Sequence, residues 1–119
     1  GIVKKTIQLL KKNGCSEKDM IACIGPCIKK NSYEVKNDFL KLFKDKNKKN
    51  VNFFTFKKKK IYFDLSEYIK SQFYENGVKK IDIIRKDTYA LENNFFSSRR
   101  SKKNKHNDYG RNISAIMIK

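Results

Sequence analysis

The chain has 119 residues, enough for one domain with one core but not two, and it sets 29 lysines and arginines against 12 acidic residues for a formal charge of +17. Nine phenylalanines and six tyrosines argue for a packed core and against disorder. No apolar run reaches the roughly 18 residues of a membrane-spanning helix. No secretory leader is expected, and three cysteines, an odd number without a CxxC pair, suit a reducing, cytoplasmic setting.

In chain order, Ile2, Val3, Ile7 and Leu10 lie on one face of a first helix that Asn13-Gly14 ends. No Ser, Thr, Asp or Asn caps its start, which reads as a cut inside a longer amphipathic helix. Met20 to Ile24 predicts a buried strand stopped by Gly25-Pro26. A second helix is expected over Val35–Phe43, with Val35, Phe39, Leu42 and Phe43 inward. Residues 44–50, without an apolar side chain, read as a solvated loop. Asn52–Phe56 and Lys60–Phe63 predict strands joined through a lysine run that also discourages edge-to-edge pairing. Asp64-Leu65-Ser66-Glu67, close to a capping box, opens a helix over Leu65–Asn76. Its core face is Leu65, Tyr68, Ile69 and Phe73, and Gly77 stops it. Ile81–Arg85 and Ile113–Ile118 predict strands flanking a long irregular segment, 86–111. About three helices and five short strands make an α+β chain.

The charge by itself points toward nucleic acid. Lysine, asparagine and isoleucine are in excess together, the residues with the most A/T-rich codons, so nucleotide bias supplies an alternative source for it. The lysines are also spread along the sequence, which implies non-specific electrostatic binding. A small basic nucleic-acid-binding protein without catalysis is the second functional reading.

Arginine is the more selective signal. The chain has twenty-five lysines and four arginines, and Arg99, Arg100 and Arg111 are three of the four. A guanidinium grips carboxylate or phosphate with a planar fork that an ammonium lacks. Arg99 and Arg100 follow Phe95-Phe96, so the set reads either as an anion site beside aromatic rings or as arginine stems packed over them. Phe96, Tyr89, Arg99, Arg100 and Arg111 are the candidate substrate-binding residues. No nucleophile–base pair and no catalytic residue emerge: the single His106 stands among Lys and Asn in a polar stretch.

Ile24-Gly25-Pro26-Cys27-Ile28, Ser32-Tyr33-Glu34-Val35, Tyr62-Phe63-Asp64-Leu65, Gly77-Val78, Thr88-Tyr89, Phe95-Phe96-Ser97-Ser98-Arg99-Arg100 and Gly110-Arg111-Asn112-Ile113-Ser114 resemble, in this order, the YfiH-type family. That family is also called the laccase-domain, polyphenol oxidoreductase or metal-dependent purine nucleoside phosphorylase family. The resemblance spans nearly the whole chain and implies the C-terminal half of an α/β sandwich, so that 1–119 is a single incomplete domain. It implies phosphorolysis of adenosine, inosine, guanosine or methylthioadenosine, with adenosine deamination as a further activity. It also implies zinc or copper held by two histidines and a cysteine in Gln-Val-His-Gly, Ala-Asp-Cys and His-Ala-Gly-Trp-Arg-Gly motifs. None of these occurs here, and the last would stand immediately before Gly1. The chain alone is therefore expected to be inactive and to hold no metal. Its expected partners are a purine nucleoside, phosphate, and either the missing N-terminal half or a second copy.

Overall fold

The computed structural model describes residues 1–117. Aromatic side chains organise one end of it. Lys60–Phe63 (β4) pairs antiparallel with Phe54–Lys57 (β3) on one side and with Glu34–Val35 (β2) on the other. Period-2 alternation sends Phe54 and Phe63 to the same inner face. There they meet Phe39 and Phe43 of α2 (Asn37–Lys46) and Tyr68 of α3 (Leu65–Glu75), with ring centroids 4.8 Å apart for Phe54–Phe63 and 4.9 Å for both Phe43–Phe63 and Phe43–Tyr68. Phe63 is 1% exposed. Burying such a ring contributes about 1.5–3 kcal/mol, and favourable edge-to-face pairs add about 0.5–1.5 kcal/mol each.

The second core lies under α1 (Ile2–Lys12). Ile21–Ile24 (β1) pairs in parallel with Lys80–Ile83 (β5), and α1 and α3 pack beside this two-stranded sheet. Ile7, Ala22 and Val78 are buried together, with Val3, Met20, Phe73 and Ile81 against them. Gly14 ends α1 at φ +87° and Gly77 follows α3 at φ +89°, a conformation that a Cβ penalises. At Gly77 a Cβ would also lie 2.7 Å from Glu17 Cγ. The N-terminus of α3 is capped as its sequence indicates, by Asp64 Oδ1 accepting from the Glu67 amide at 3.2 Å.

The α+β reading holds, and several element boundaries move. Val35 belongs to β2 rather than to the second helix, which begins at Asn37 and continues to Lys46. Leu42 faces solvent at 62% exposure because the helix turns its aromatic stripe, Phe39 and Phe43, inward instead. The stretch expected to be a solvated loop contains the last turn of α2 and the start of a 3-10 helix, Lys48–Phe53. Asn50 is buried there because its side-chain amide donates to the Phe43 carbonyl at 2.8 Å, satisfying the end of α2. Apolar count alone misses this, since the contact is polar. Residues 86–111 are not wholly irregular: they include a 3-10 turn, Leu91–Asn93, and a short helix α4, Ser98–Lys103. The expected strand at 113–118 is not formed over residues 113–117, which have no regular secondary structure, and Ile118 lies outside the described residues. This stretch runs beside β1, where Ile113 to Ile116 share a cavity wall with Ile21, Ala22 and Cys23, but it makes no ladder with that strand among the described residues.

Replacing Phe63 by Ala should lower unfolding free energy by about 3–5 kcal/mol in urea titrations, the range for deleting a buried aromatic ring. Asp64→Ala should cost about 1 kcal/mol, the loss of one N-cap, with the aromatic cluster intact.

Candidate functional site

Three segments meet beside the aromatic core: residues 25–33, 86–96 and 109–112. Asp87 joins the first two. Its carboxylate accepts from Ser32 Oγ at 2.6 Å, the Tyr89 amide at 2.9 Å and the Lys29 amide at 3.3 Å. A parallel bridge between Cys27 and Asp87 continues the contact past the end of the β1–β5 ladder. The third segment is held by Asn112, whose side chain accepts from the Phe96 amide at 2.9 Å and donates to the Phe96 carbonyl at 2.8 Å. Gly110 passes so close to the Phe96 ring that a Cβ there would overlap it.

Ser97 caps α4 by accepting from the Arg100 amide at 3.3 Å. Successive residues of a helix point about 100° apart, so Arg99 and Arg100 are sent to different places. Arg100 turns inward: its Nη1 donates to the carbonyls of Thr88 (3.1 Å) and Tyr89 (2.9 Å), and its Nη2 to that of Phe95 (2.6 Å). It is a clamp on the 88–95 loop. Arg99 turns outward, over the Tyr33 ring at 5.3 Å, with Nη1 donating to the Glu34 carbonyl at 2.8 Å. Its remaining N–H groups have no protein acceptor among the described residues. Arg111 lies over the Tyr109 ring at 4.3 Å and donates to the Tyr109 carbonyl.

Together these segments enclose a cleft of about 300 Å³ whose walls include Tyr33, Phe96, Ser98, Arg99, Tyr109 and Arg111. Of the five candidate binding residues, Phe96, Arg99 and Arg111 line it; Arg100 and Tyr89 do not. Tyr89 instead has Lys103 Nζ 5.9 Å from its ring centre and surrenders its carbonyl to Arg100. The sequence treated Arg99-Arg100 as one loop pair because nothing in Ser98-Arg99-Arg100 announces a helix until Ser97 is seen capping it. Asp87 escaped notice too, although Asp two residues before an amide it can accept from is the Asx-turn signature.

The order of the motifs agrees with a comparison across known sequences. The sequence model of the family described as multi-copper polyphenol oxidoreductase laccase matches residues 1–119. The chain belongs to this laccase family. It is similar to a purine nucleoside phosphorylase of Rickettsia prowazekii (strain Madrid E), 38% identical over 104 residues, and to one of Rickettsia conorii (strain ATCC VR-613 / Malish 7), 39% identical over 105 residues. Each alignment covers 86% of this chain and 43% of the relative, so the chain spans about two-fifths of the length of the curated relatives it matches. The family description names copper, but the side chains of this laccase-family chain do not fit a metal. No group of three His, Cys, Asp or Glu converges among the described residues. Cys15 and Cys23 are exposed, and Cys27 lies 3.7 Å from Lys29 Nζ, a cation that opposes metal binding. No chain helix is long and apolar enough to cross a membrane among the described residues.

Arg100→Lys leaves carbonyls of the 88–95 loop without donors and should lower stability by about 1–3 kcal/mol, read by chemical denaturation. Arg99→Lys should stay within about 0.5 kcal/mol, as for an exposed substitution. At the β2–β4 edge, Lys60 Nζ bonds Glu34 Oε2 at 2.8 Å, and this hydrogen bond, then the charge attraction, raises the lysine above its ordinary pKa. A raised pKa means that the contribution is complete below the lysine's unfolded value and is lost as pH rises through the folded one. In an NMR titration of the lysine side-chain signals, Glu34→Gln should return Lys60 toward the ordinary value.

Proposed function

We propose that this chain supplies the anion-binding and base-facing wall of a purine nucleoside phosphorylase. The observation that carries the reading is the similarity, over 86% of the chain, to two proteins that bear that name. In phosphorolysis a phosphate oxygen forms a bond to ribose C1′ as the C1′–N9 bond breaks. The purine leaves with the electron pair and takes up a proton, and ribose 1-phosphate is formed. The chief demands are to position an anion and to stabilise charge as it moves from phosphate to purine.

In this reading Arg99 offers its free N–H groups to phosphate, and Arg111 adds positive charge across the cleft. Phe96 presents an exposed ring for the purine. Arg100 and Tyr89 act indirectly, by fixing the loop behind that ring. The substrates proposed are adenosine, inosine, guanosine or methylthioadenosine with phosphate, and adenosine deamination is a proposed further activity. The zinc or copper expected of the family would be held by residues outside this chain. Residues 1–119 are then an incomplete domain that turns over only with the remaining length of a relative, or beside a second copy that supplies it. The proposed compartment is the cytoplasm.

A chimera decides this. Residues 1–119 are joined behind the unaligned N-terminal portion of the Rickettsia conorii relative and assayed for adenine release from adenosine and phosphate, with and without added zinc or copper. Turnover is expected from the chimera and not from the chain alone. Turnover by the chain alone would sink the claim of inactivity, and an inert, folded chimera beside an active relative would sink the site. Within an active chimera, Arg99→Lys should cut kcat/KM about ten- to a hundredfold at unchanged Tm, the loss expected for one charge-assisted hydrogen bond.

A further inference from the structure

The outward face of the β2–β4–β3 sheet holds a second group of cations, independent of the phosphorylase reading. The register opposes Thr55 to Tyr62 and Lys57 to Lys60, and Glu34 to Tyr62 on the other side. Side chains of directly opposed residues share a face, so Glu34, Thr55, Lys57, Lys60 and Tyr62 stand together, on the side away from Phe54 and Phe63. A cleft of about 370 Å³ opens there, lined by Lys30, Lys57, Lys58, Lys60 and Tyr62 together with Asn31 and Thr55. Lysines far apart in the sequence are thus gathered around one tyrosine ring. Glu34 also stands on this face, and its carboxylate is engaged by Lys60 at 2.8 Å. Lys30, Lys57, Lys58 and Lys59 make no ion pair among the described residues.

The turn itself carries the argument further. Lys58 and Lys59 both have positive φ, 49° and 61°, as the tight two-residue hairpin requires. Asn-Gly or Asp-Gly satisfies that geometry best, and lysine there is strained. Nucleotide bias does not account for the choice. Asparagine codons are as rich in A and T as lysine codons, and the chain uses asparagine twelve times elsewhere. Positive charge at the tip, rather than easy turning, is what these two positions provide.

We propose that this face is a docking site for single-stranded nucleic acid. Ammonium groups track the phosphates, and the Tyr62 ring offers a surface on which a base stacks. Thr55 and Asn31 supply neutral polar contacts. No arginine lines this cleft among the described residues, so no bidentate reading of base edges is available there and sequence preference is slight. An anionic membrane fits less well: the exposed ring of the hairpin, Phe56, alternates to the opposite face from the lysine cleft.

The test is fluorescence anisotropy of a labelled twenty-nucleotide oligothymidylate with the whole 119-residue chain between 0.05 and 0.2 M salt. The double variant Lys57→Glu/Lys58→Glu is compared with Lys4→Glu/Lys5→Glu, which makes the same charge change on exposed positions of α1. The hairpin variant should lose at least about tenfold in affinity and about 1.4 in the salt slope, two phosphate contacts' worth, while the α1 variant loses less than about threefold. Equal losses would overturn the proposal and leave only the bulk charge. Tyr62→Phe should bind as the parent does and Tyr62→Ala about fivefold or more weakly. Should Tyr62→Ala fail to fold by circular dichroism, the lysine comparison decides alone. Phosphatidylserine vesicles form the last arm. Vesicle binding that the hairpin variant loses while its oligonucleotide binding is intact would overturn the assignment in favour of a membrane.

Discussion

The packing of Phe63 is the constraint on which the rest of the structure depends. Its ring is almost wholly buried between α2, α3 and the β3 strand, and its backbone is equally committed. The Phe63 amide donates to the Tyr33 carbonyl at 3.0 Å, and the next amide, Asp64, donates to the Phe53 carbonyl at 2.8 Å. One residue on, the Asp64 side chain starts α3. Strand end, helix start and the loop that carries Tyr33 are therefore tied at a single point. Because Tyr33 is tied there, the ring beneath Arg99 has a defined place, and the cleft inherits its position from the aromatic core.

Around that core the chain manages an excess of positive charge mostly by exposure. Its ion pairs among the described residues, Lys11–Glu17, Lys60–Glu34 and Lys70–Glu67, all lie at the surface, where each contributes little. The cation that works hardest for the fold is an arginine. Arg100 replaces three hydrogen bonds that the 88–95 loop would otherwise make to water, and a lysine ammonium does not span three such carbonyls with a planar fork. Scarcity of arginine in a lysine-rich chain thus marked both a structural clamp and a residue facing the cleft.

Where a signal is local, it was legible. The α+β class, the α3 cap, the two left-handed glycines and the pairing of β3 with β4 follow from patterns a few residues long. The sequence also singled out Phe96, Arg99 and Arg111, which the fold brings to one cleft. It failed where a polar contact or an unformed ladder decided the outcome. Asn50 is buried by a bond to a carbonyl seven residues away, and the apolar run at 113–117 lies along β1 without forming a ladder with it. Arg100 faces away from the cleft because α4 sets it a step round from Arg99, and Tyr89 lies in the loop that Arg100 clamps.

Residue chemistry and short-range spacing by themselves determined the secondary-structure class, the family resemblance and the set of arginines worth following, because hydrophobic period, caps and motif order are properties of neighbouring residues. Only the tertiary structure decided which guanidinium faces the cleft, that Asp87 braces it, and that Lys30 joins the β3–β4 lysines around Tyr62. Those outcomes depend on helix rotation and cross-strand register, which bring together residues about 30 or more positions apart, farther than a local window reaches.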